Sequence, residues 1–329
     1  MLDIFSHILP AKYSKALARK APAGFHLDNL NRALPTITRL EDRFRLMDKY
    51  DGYRQVLTIA SPSVESVFSP DDALELARLA NDELADLVVK HPDRFAAGVA
   101  ILPMNDVDQA LQELDRVIKD LNLKGIQVFT SIGGRPMSSA EFMPIYKKMA
   151  QVDLPIWIHP HRTHDRPDYQ DETMSKYLIY SLFGWPYETT AAMTRLVFSG
   201  ILDECPGIKF LTHHCGAMVP YFRERISQFY EDADQLLHAQ FLKKLQKPPL
   251  DYFGMFYNDT AVSGNTSALM CAYSFCGAGR MLFGTDMPFD AQMGDFLIRE
   301  TIRSIHEMDI PESEKQDIFE HNARRLLNL

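Results

Sequence analysis

Eight short apolar, β-prone runs recur along this 329-residue chain, each followed by room for a helix. They are Leu2 to Leu9, Gln55 to Ala60, Phe95 to Leu102, Gly125 to Thr130, Leu154 to Pro160, Ile208 to His214, Phe256 to Ala261 and Met281 to Pro288. Helical patterns lie between them. Val107, Leu111, Leu114, Ile118 and Leu121 repeat at helical spacing, and Ser69-Pro70-Asp71-Asp72 opens a helix predicted over Asp71 to Lys90. Further helices are expected over Ala140 to Gln151, Thr189 to Glu204 (closed by Pro206-Gly207), Met218 to Asp234 and Pro311 to Leu327. Nearly continuous apolar strands alternating with helices imply a parallel sheet buried on both faces. Eight in strict alternation predict an α/β fold of the closed (β/α)8 TIM-barrel type, as one domain over residues 1–329. No G-x-G-x-x-G follows the first strand, which argues against an open nucleotide-binding sheet. Three connections exceed a simple turn and read as insertions or lids: Pro10 to about Leu40, Pro160 to about Pro186, and about Glu231 to Gly254.

With 46% hydrophobic and 24% charged residues, the chain has the balance of a soluble globular protein. Its net charge of -9 and lack of any Lys/Arg run exclude nucleic acid as a partner. Apolar stretches such as Leu154 to Ile158 fall far short of the roughly 20 residues of a membrane helix, and no signal pattern opens the chain. A cytoplasmic protein with no membrane partner is expected. Cys205, Cys215, Cys271 and Cys276 lack C-x-x-C spacing and read as reduced thiols.

In a barrel enzyme the chemistry sits at the carboxyl ends of the strands. Four of the eight ends carry groups that a packed core would not choose: His7, His159, His213 and Asp286. Each imidazole alone has an ordinary structural explanation, a ring bonded to a nearby carbonyl. Four strand ends together point to a site. Asp286 is the most telling, because a carboxylate behind Met281-Leu282-Phe283 is costly to bury without a cation or hydrogen-bond donors. Imidazoles plus a carboxylate suit one divalent ion, Zn²⁺ first, with Mn²⁺ or Fe²⁺ as alternatives. His214 alternates with His213 along the strand and is expected to point away. His161 and His164 lie in the loop after strand five with no direction assigned; His26, His91, His306 and His321 receive no role. No G-x-S-x-G elbow supports a serine hydrolase.

These residues resemble the amidohydrolase superfamily, and within it the aminocarboxymuconate-semialdehyde decarboxylase group. The likeness runs through Asp3-Ile4-Phe5-Ser6-His7, Arg94-Phe95, Leu102-Pro103, Ile158-His159-Pro160 and Gly184-Trp185-Pro186-Tyr187-Glu188. It continues in His213-His214-Cys215-Gly216-Ala217, Gly284-Thr285-Asp286-Met287-Pro288-Phe289 and Asn322-Ala323. The resemblance implies metal ligands at His7, His159 and Asp286, with His213, and Asp286 if it leaves the metal, as acid/base groups. It implies a homodimer in which Arg225 reaches the neighbouring subunit's site to grip a substrate carboxylate, with Arg32 as a second contact. One position departs from the pattern: where the family places His or Glu two residues before His7, this chain has Phe5. The implied activity is that of a metal-dependent carboxy-lyase with no organic cofactor, acting on a small aromatic or muconate-type carboxylate. The alternative is a hydrolase or hydratase of a small amide, lactone or unsaturated acid using a metal-bound water. A third is a degenerate barrel that binds without turnover.

Overall fold

The computed structural model describes residues 1–21 and 33–329; Arg32 and His26 fall outside the described residues. The strands are β1 (Leu2–Ile8), β2 (Arg54–Ile59), β3 (Phe95–Gly98), β4 (Ala100–Ile101), β5 (Ile126–Phe129), β6 (Ser131–Ile132), β7 (Arg135–Pro136), β8 (Pro155–His159), β9 (Lys209–Thr212) and β10 (Tyr257–Asn258). Parallel pairing runs β1-β2-β3 and β10-β9-β8-β5-β4, while β6 and β7 form a small antiparallel hairpin. Backbone bonds join the two arcs into a ring. On one side Val99 N donates to Leu57 O (2.9 Å) and Ala100 N to Gly125 O (2.9 Å). On the other, residues 281–287 thread between β10 and β1: Leu282 N donates to Asn258 O (2.9 Å), Ile4 N to Phe283 O (2.8 Å) and His7 N to Met287 O (2.9 Å). The eighth apolar run therefore closes the (β/α)8 barrel, although its ladder is reduced to isolated bridges, Asn258 with Met281 and Ser6 with Met287. The register of β1 shifts between Asp3 and Ser6, and Asp286 adopts a positive φ of 64°. Both irregularities lie where the site forms.

Leu2, Ile4, Phe5, Val56, Val99, Trp157, Leu211 and Leu282 pack together inside the barrel, the consecutive Ile4 and Phe5 both turning inward at the register shift of β1. Trp157 Nε1 donates to Ile4 O across the interior at 3.0 Å. Gly125 has no alternative here, because its φ is +151° and a Cβ would stand 2.4 Å from Pro155 O. A larger apolar layer lies between the strands and the surrounding helices. Helix Pro70–Lys90 begins as its sequence requires, with Ser69 Oγ accepting from Asp72 N at 3.3 Å.

Three predicted helices differ from those observed. Thr189 to Glu204 is two helices, Gly184–Phe198 and Ile201–Glu204, because Gly200 adopts φ 83° between them. The helix expected from Met218 starts at Arg223, after His214, Cys215 and Ala217 have all taken left-handed backbone. Pro311 to Leu327 divides into Glu312–Gln316, a π-helical turn at Asp317–His321 and Asn322–Leu327. The long first connection is partly a wall: helix Ala11–Lys20 buries Tyr13, Ala16 and Leu17, and Glu83 accepts from the backbone of Lys12 (3.1 Å) and Tyr13 (2.6 Å). No helix among the described residues is long and apolar enough to cross a membrane.

Candidate metal centre

A strand that ends at a barrel mouth delivers its last inward side chain to the axis, and four ends do so here. His7 comes from β1, His159 from β8, His213 from the residue after β9 and Asp286 from the closing segment. One carboxylate oxygen sits between two imidazoles: Asp286 Oδ1 is 3.2 Å from His7 Nε2 and 3.2 Å from His213 Nε2. Ring nitrogens of His7, His159 and His213 all lie within 4.8 Å of one another. His214, expected to point away, instead brings Nε2 to 3.8 Å from Asp286 Oδ2. The β alternation ends at Thr212, and the φ of 57° at His214 turns its ring back toward the site.

Each of the three inner imidazoles is held by its Nδ1. That atom of His7 is 3.3 Å from Thr58 Oγ1, that of His159 is 2.7 Å from Pro160 O, and that of His213 bonds the Asp259 carboxylate. The Nε2 edges are then free to face the axis, and those of His7 and His213 are buried without a well-directed hydrogen-bond partner. Orphaned, convergent nitrogens with engaged Nδ1 atoms form the donor set of a borderline divalent cation, so the residues fit such an ion.

The electrostatics agree. Burial holds His7 below its ordinary pKa and His159 well below it, so both rings are neutral and can donate a lone pair. Burial works against charge on His213 too, but the Asp259 and Asp286 carboxylates outweigh it and push its pKa up to about 10. Carboxylates that hold a proton there also favour a cation. Burial alone would raise Asp286, yet His213, His214 and His7 hold it well below the usual carboxylate range.

Behind the centre, Arg43 is fully buried and braces β1, donating from Nη1 to His7 O (2.8 Å) and from Nε to Gln55 Oε1 (2.7 Å). Asp3 ties the two ligand-bearing segments together by accepting from Phe5 N (3.1 Å), Thr285 N (3.1 Å) and Thr285 Oγ1 (2.6 Å). Aromatic rings surround the centre, Phe5 from the barrel interior. Phe5 stacks on His213 at 3.9 Å and lies 5.3 Å from the His7 ring; Phe129 and Trp185 flank His159 at 5.0 and 5.9 Å; Phe289 covers His7 at 5.3 Å. Phe5 therefore faces the site as an apolar wall.

His161 lies behind Phe129, 6.0 Å from that ring. Arg225, on helix Arg223–Leu236, stacks over Phe229 at 4.0 Å and lines an apolar groove of about 490 Å³ with Tyr187, Met218, Phe222 and Phe241. Asp259 and Arg43 join the site from positions that no sequence motif marks as functional. Asp259 follows the seventh apolar run and carried the same signal as Asp286, a carboxylate at a strand end; Arg43 had none, since its helix reads as charged and exposed.

The model of the amidohydrolase family matches residues 11–329. This chain belongs to the amidohydrolase family. Among curated amidohydrolase relatives, a gamma-resorcylate decarboxylase of Rhizobium sp. is 31% identical over 300 residues, covering 88% of this chain and 87% of its own length. A 2-amino-3-carboxymuconate-6-semialdehyde decarboxylase of Dictyostelium discoideum is 28% identical over 287 residues, or 87% of this chain and 76% of the relative. A dihydroxybenzoic acid decarboxylase of Polaromonas sp. JS666, solved with manganese and 2-nitroresorcinol, superposes with a TM-score of 0.78 at 27% identity, covering 100% of this chain and 96% of that one.

Proposed function

We propose that this amidohydrolase is a metal-dependent carboxy-lyase, needing no organic cofactor, that removes carbon dioxide from a small aromatic or muconate-type carboxylate. The observation that carries the reading is the convergence of His7, His159, His213 and Asp286 among the rings of Phe5, Phe129, Trp185 and Phe289. Its relatives' decarboxylase activities support it. His7, His159 and Asp286 hold the ion; Zn²⁺ suits this donor set, and Mn²⁺, which the Polaromonas relative binds, fits the same atoms. When bound, the ion supplies positive charge that attracts the substrate's carboxylate and stabilises negative charge as carbon dioxide leaves. These aromatic side chains take an unsaturated ring by its face and edge and exclude water from it. The stacked imidazoles of His213 and His214, each facing one oxygen of the Asp286 carboxylate, stand where the carbon must receive its proton.

The working unit is a homodimer in this reading. Arg225, in a groove lined by aromatic side chains that include exposed Tyr187 and Phe229, is set to reach across to the partner's substrate carboxylate, a task suited to guanidinium. Four free thiols support a cytoplasmic location. Carbon dioxide release from a panel of hydroxybenzoates and muconates, run beside hydrolysis of lactones and amides, tests the activity. Release from at least one acid is expected; hydrolysis without carbon dioxide would overturn the reading.

A further inference from the structure

We propose that His213 is a fourth protein ligand of the metal, filling the corner of the site that Phe5 cannot, and that His214 next to it is the group that passes the proton. Only the second half rests on the decarboxylase reading.

Adjacent donor atoms around an ion at about 2.1 Å stand about 3.0–3.4 Å from one another, whether four or six surround it. The 3.2 Å separations from Asp286 Oδ1 to His7 Nε2 and to His213 Nε2 both fall in that range. His213 is thus placed toward Asp286 as His7 is, and its nitrogen belongs with those of His7 and His159 in one cluster. Its other edge is fixed in the way a metal-bound imidazole requires. Asp259 Oδ2 takes the Nδ1 proton, while Oδ1 accepts from Cys215 N (2.9 Å) and Ala261 N (3.0 Å), so the carboxylate cannot swing away. The tautomer that results leaves the Nε2 lone pair pointing at Asp286.

A proton carrier needs the opposite surroundings, because it must regain a proton from solvent in every cycle. His213 is fully buried, sandwiched between the Phe5 ring at 3.9 Å and the His214 ring at 3.9 Å. His214 is 19% exposed, its Nδ1 has no hydrogen-bond partner, and its Nε2 stands 3.8 Å from the second oxygen of Asp286, grouped with His213 and Asp286 but not with His7 and His159. Phe5 explains why the chain is built this way. Residues 5 and 7 of β1 face the same side, and the Phe5 ring occupies the space beside His7 without offering a donor. With no donor at residue 5, the fourth donor comes from the end of β9, and the proton-bearing role falls to the residue after it. In the reaction the bond between the ring carbon and the carboxylate breaks, its electron pair stays on carbon, and that carbon takes a proton handed on through the His214 ring. Carbon dioxide departs, and the proton passed on is replaced from solvent, which His214 alone of the two rings reaches.

The test is metal affinity by chelator competition, together with the visible spectrum of the Co²⁺-loaded protein, for His213→Asn and His214→Asn. His213→Asn is expected to weaken metal binding at least about tenfold and to shift the Co²⁺ bands. His214→Asn should keep affinity within twofold and the spectrum unchanged, while turnover falls about 10²-fold or more. Wild-type affinity and spectrum in His213→Asn would overturn the ligand assignment, as would loss of metal in His214→Asn; wild-type turnover in His214→Asn would overturn the proton role. Should His213→Asn fail to fold, Asp259→Asn takes its place, and an unchanged Co²⁺ spectrum there is equally fatal. Absence of carbon dioxide release from the wild type would remove the decarboxylase reading and the role of His214, and the ligand assignment would stand or fall on the metal data.

Discussion

Replacing Asp259 by Asn changes one atom's chemistry at the centre and leaves its shape. In the native chain both Asp259 oxygens accept: one from the backbone N–H groups of Cys215 and Ala261, the other from His213 Nδ1. Asn has one acceptor and one donor. Two fixed backbone donors claim the oxygen, which leaves the amide NH₂ facing His213 Nδ1. Two donors cannot share that contact, so Nδ1 becomes an acceptor and the ring proton moves to Nε2, the atom 3.2 Å from Asp286. An Nε2 that carries a proton has no lone pair for a cation. Loss of a carboxylate that orients a ligand imidazole costs about 10- to 100-fold in affinity, or about 1.4–2.8 kcal/mol. Removing a buried negative charge acts in the same direction. Affinity for Zn²⁺ and Mn²⁺ would be measured by chelator competition, with melting of the metal-free protein to show that the fold is intact. At a fixed metal concentration above saturation, the variant should also lose about 1.4 kcal/mol of ligand-linked stability for each tenfold in affinity. A folded Asp259→Asn that binds metal within twofold of wild type would refute the reasoning.

Phe5→His adds an imidazole on the wall that already faces His7 and His213, so metal binding should tighten while turnover falls as substrate space is filled; unchanged affinity in a folded variant would mean that the side chain does not reach the ion. Glu65 is buried away from the metal centre, and burial pushes its pKa from 4.5 up to about 7. The folded state therefore holds a proton that the unfolded state has lost, so stability falls as pH rises from about 4.5 to about 7 and is flat above, by up to roughly 3 kcal/mol. Glu65→Gln should lack this slope in urea titrations at several pH values, and equal slopes in both proteins would sink the claim. Coexpressing Arg225→Ala with His159→Ala should restore activity in mixed dimers, since one of the two sites then carries every native group; two inactive parents yielding no active mixture would reject a shared site.

The pattern of eight apolar runs was enough to specify the barrel, because a strand buried on both faces must be apolar along its whole length whatever its neighbours are. The same logic exposed His7, His159, His213 and Asp286: polar groups at the ends of such runs contradict the burial that the runs demand. Alternation also placed Phe5 on the side of His7, and the ring contact at 5.3 Å agrees. What alternation could not supply was direction past the last paired residue. Counting in twos sends His214 away from the site, but the ladder ends at Thr212 and left-handed backbone at residues 214 and 215 reverses the count. Helix boundaries failed for a related reason, since the positive φ of Gly200 interrupts a run that periodicity alone would carry through. Partnership was the other thing hidden in one dimension. Asp259 lies 46 residues from His213 and Arg43 lies 36 from His7, and neither separation has a local signature. Only closure of the barrel, which brings the end of the seventh run beside the sixth and the helix Leu40–Met47 beneath the first, decides which buried charge steadies which imidazole.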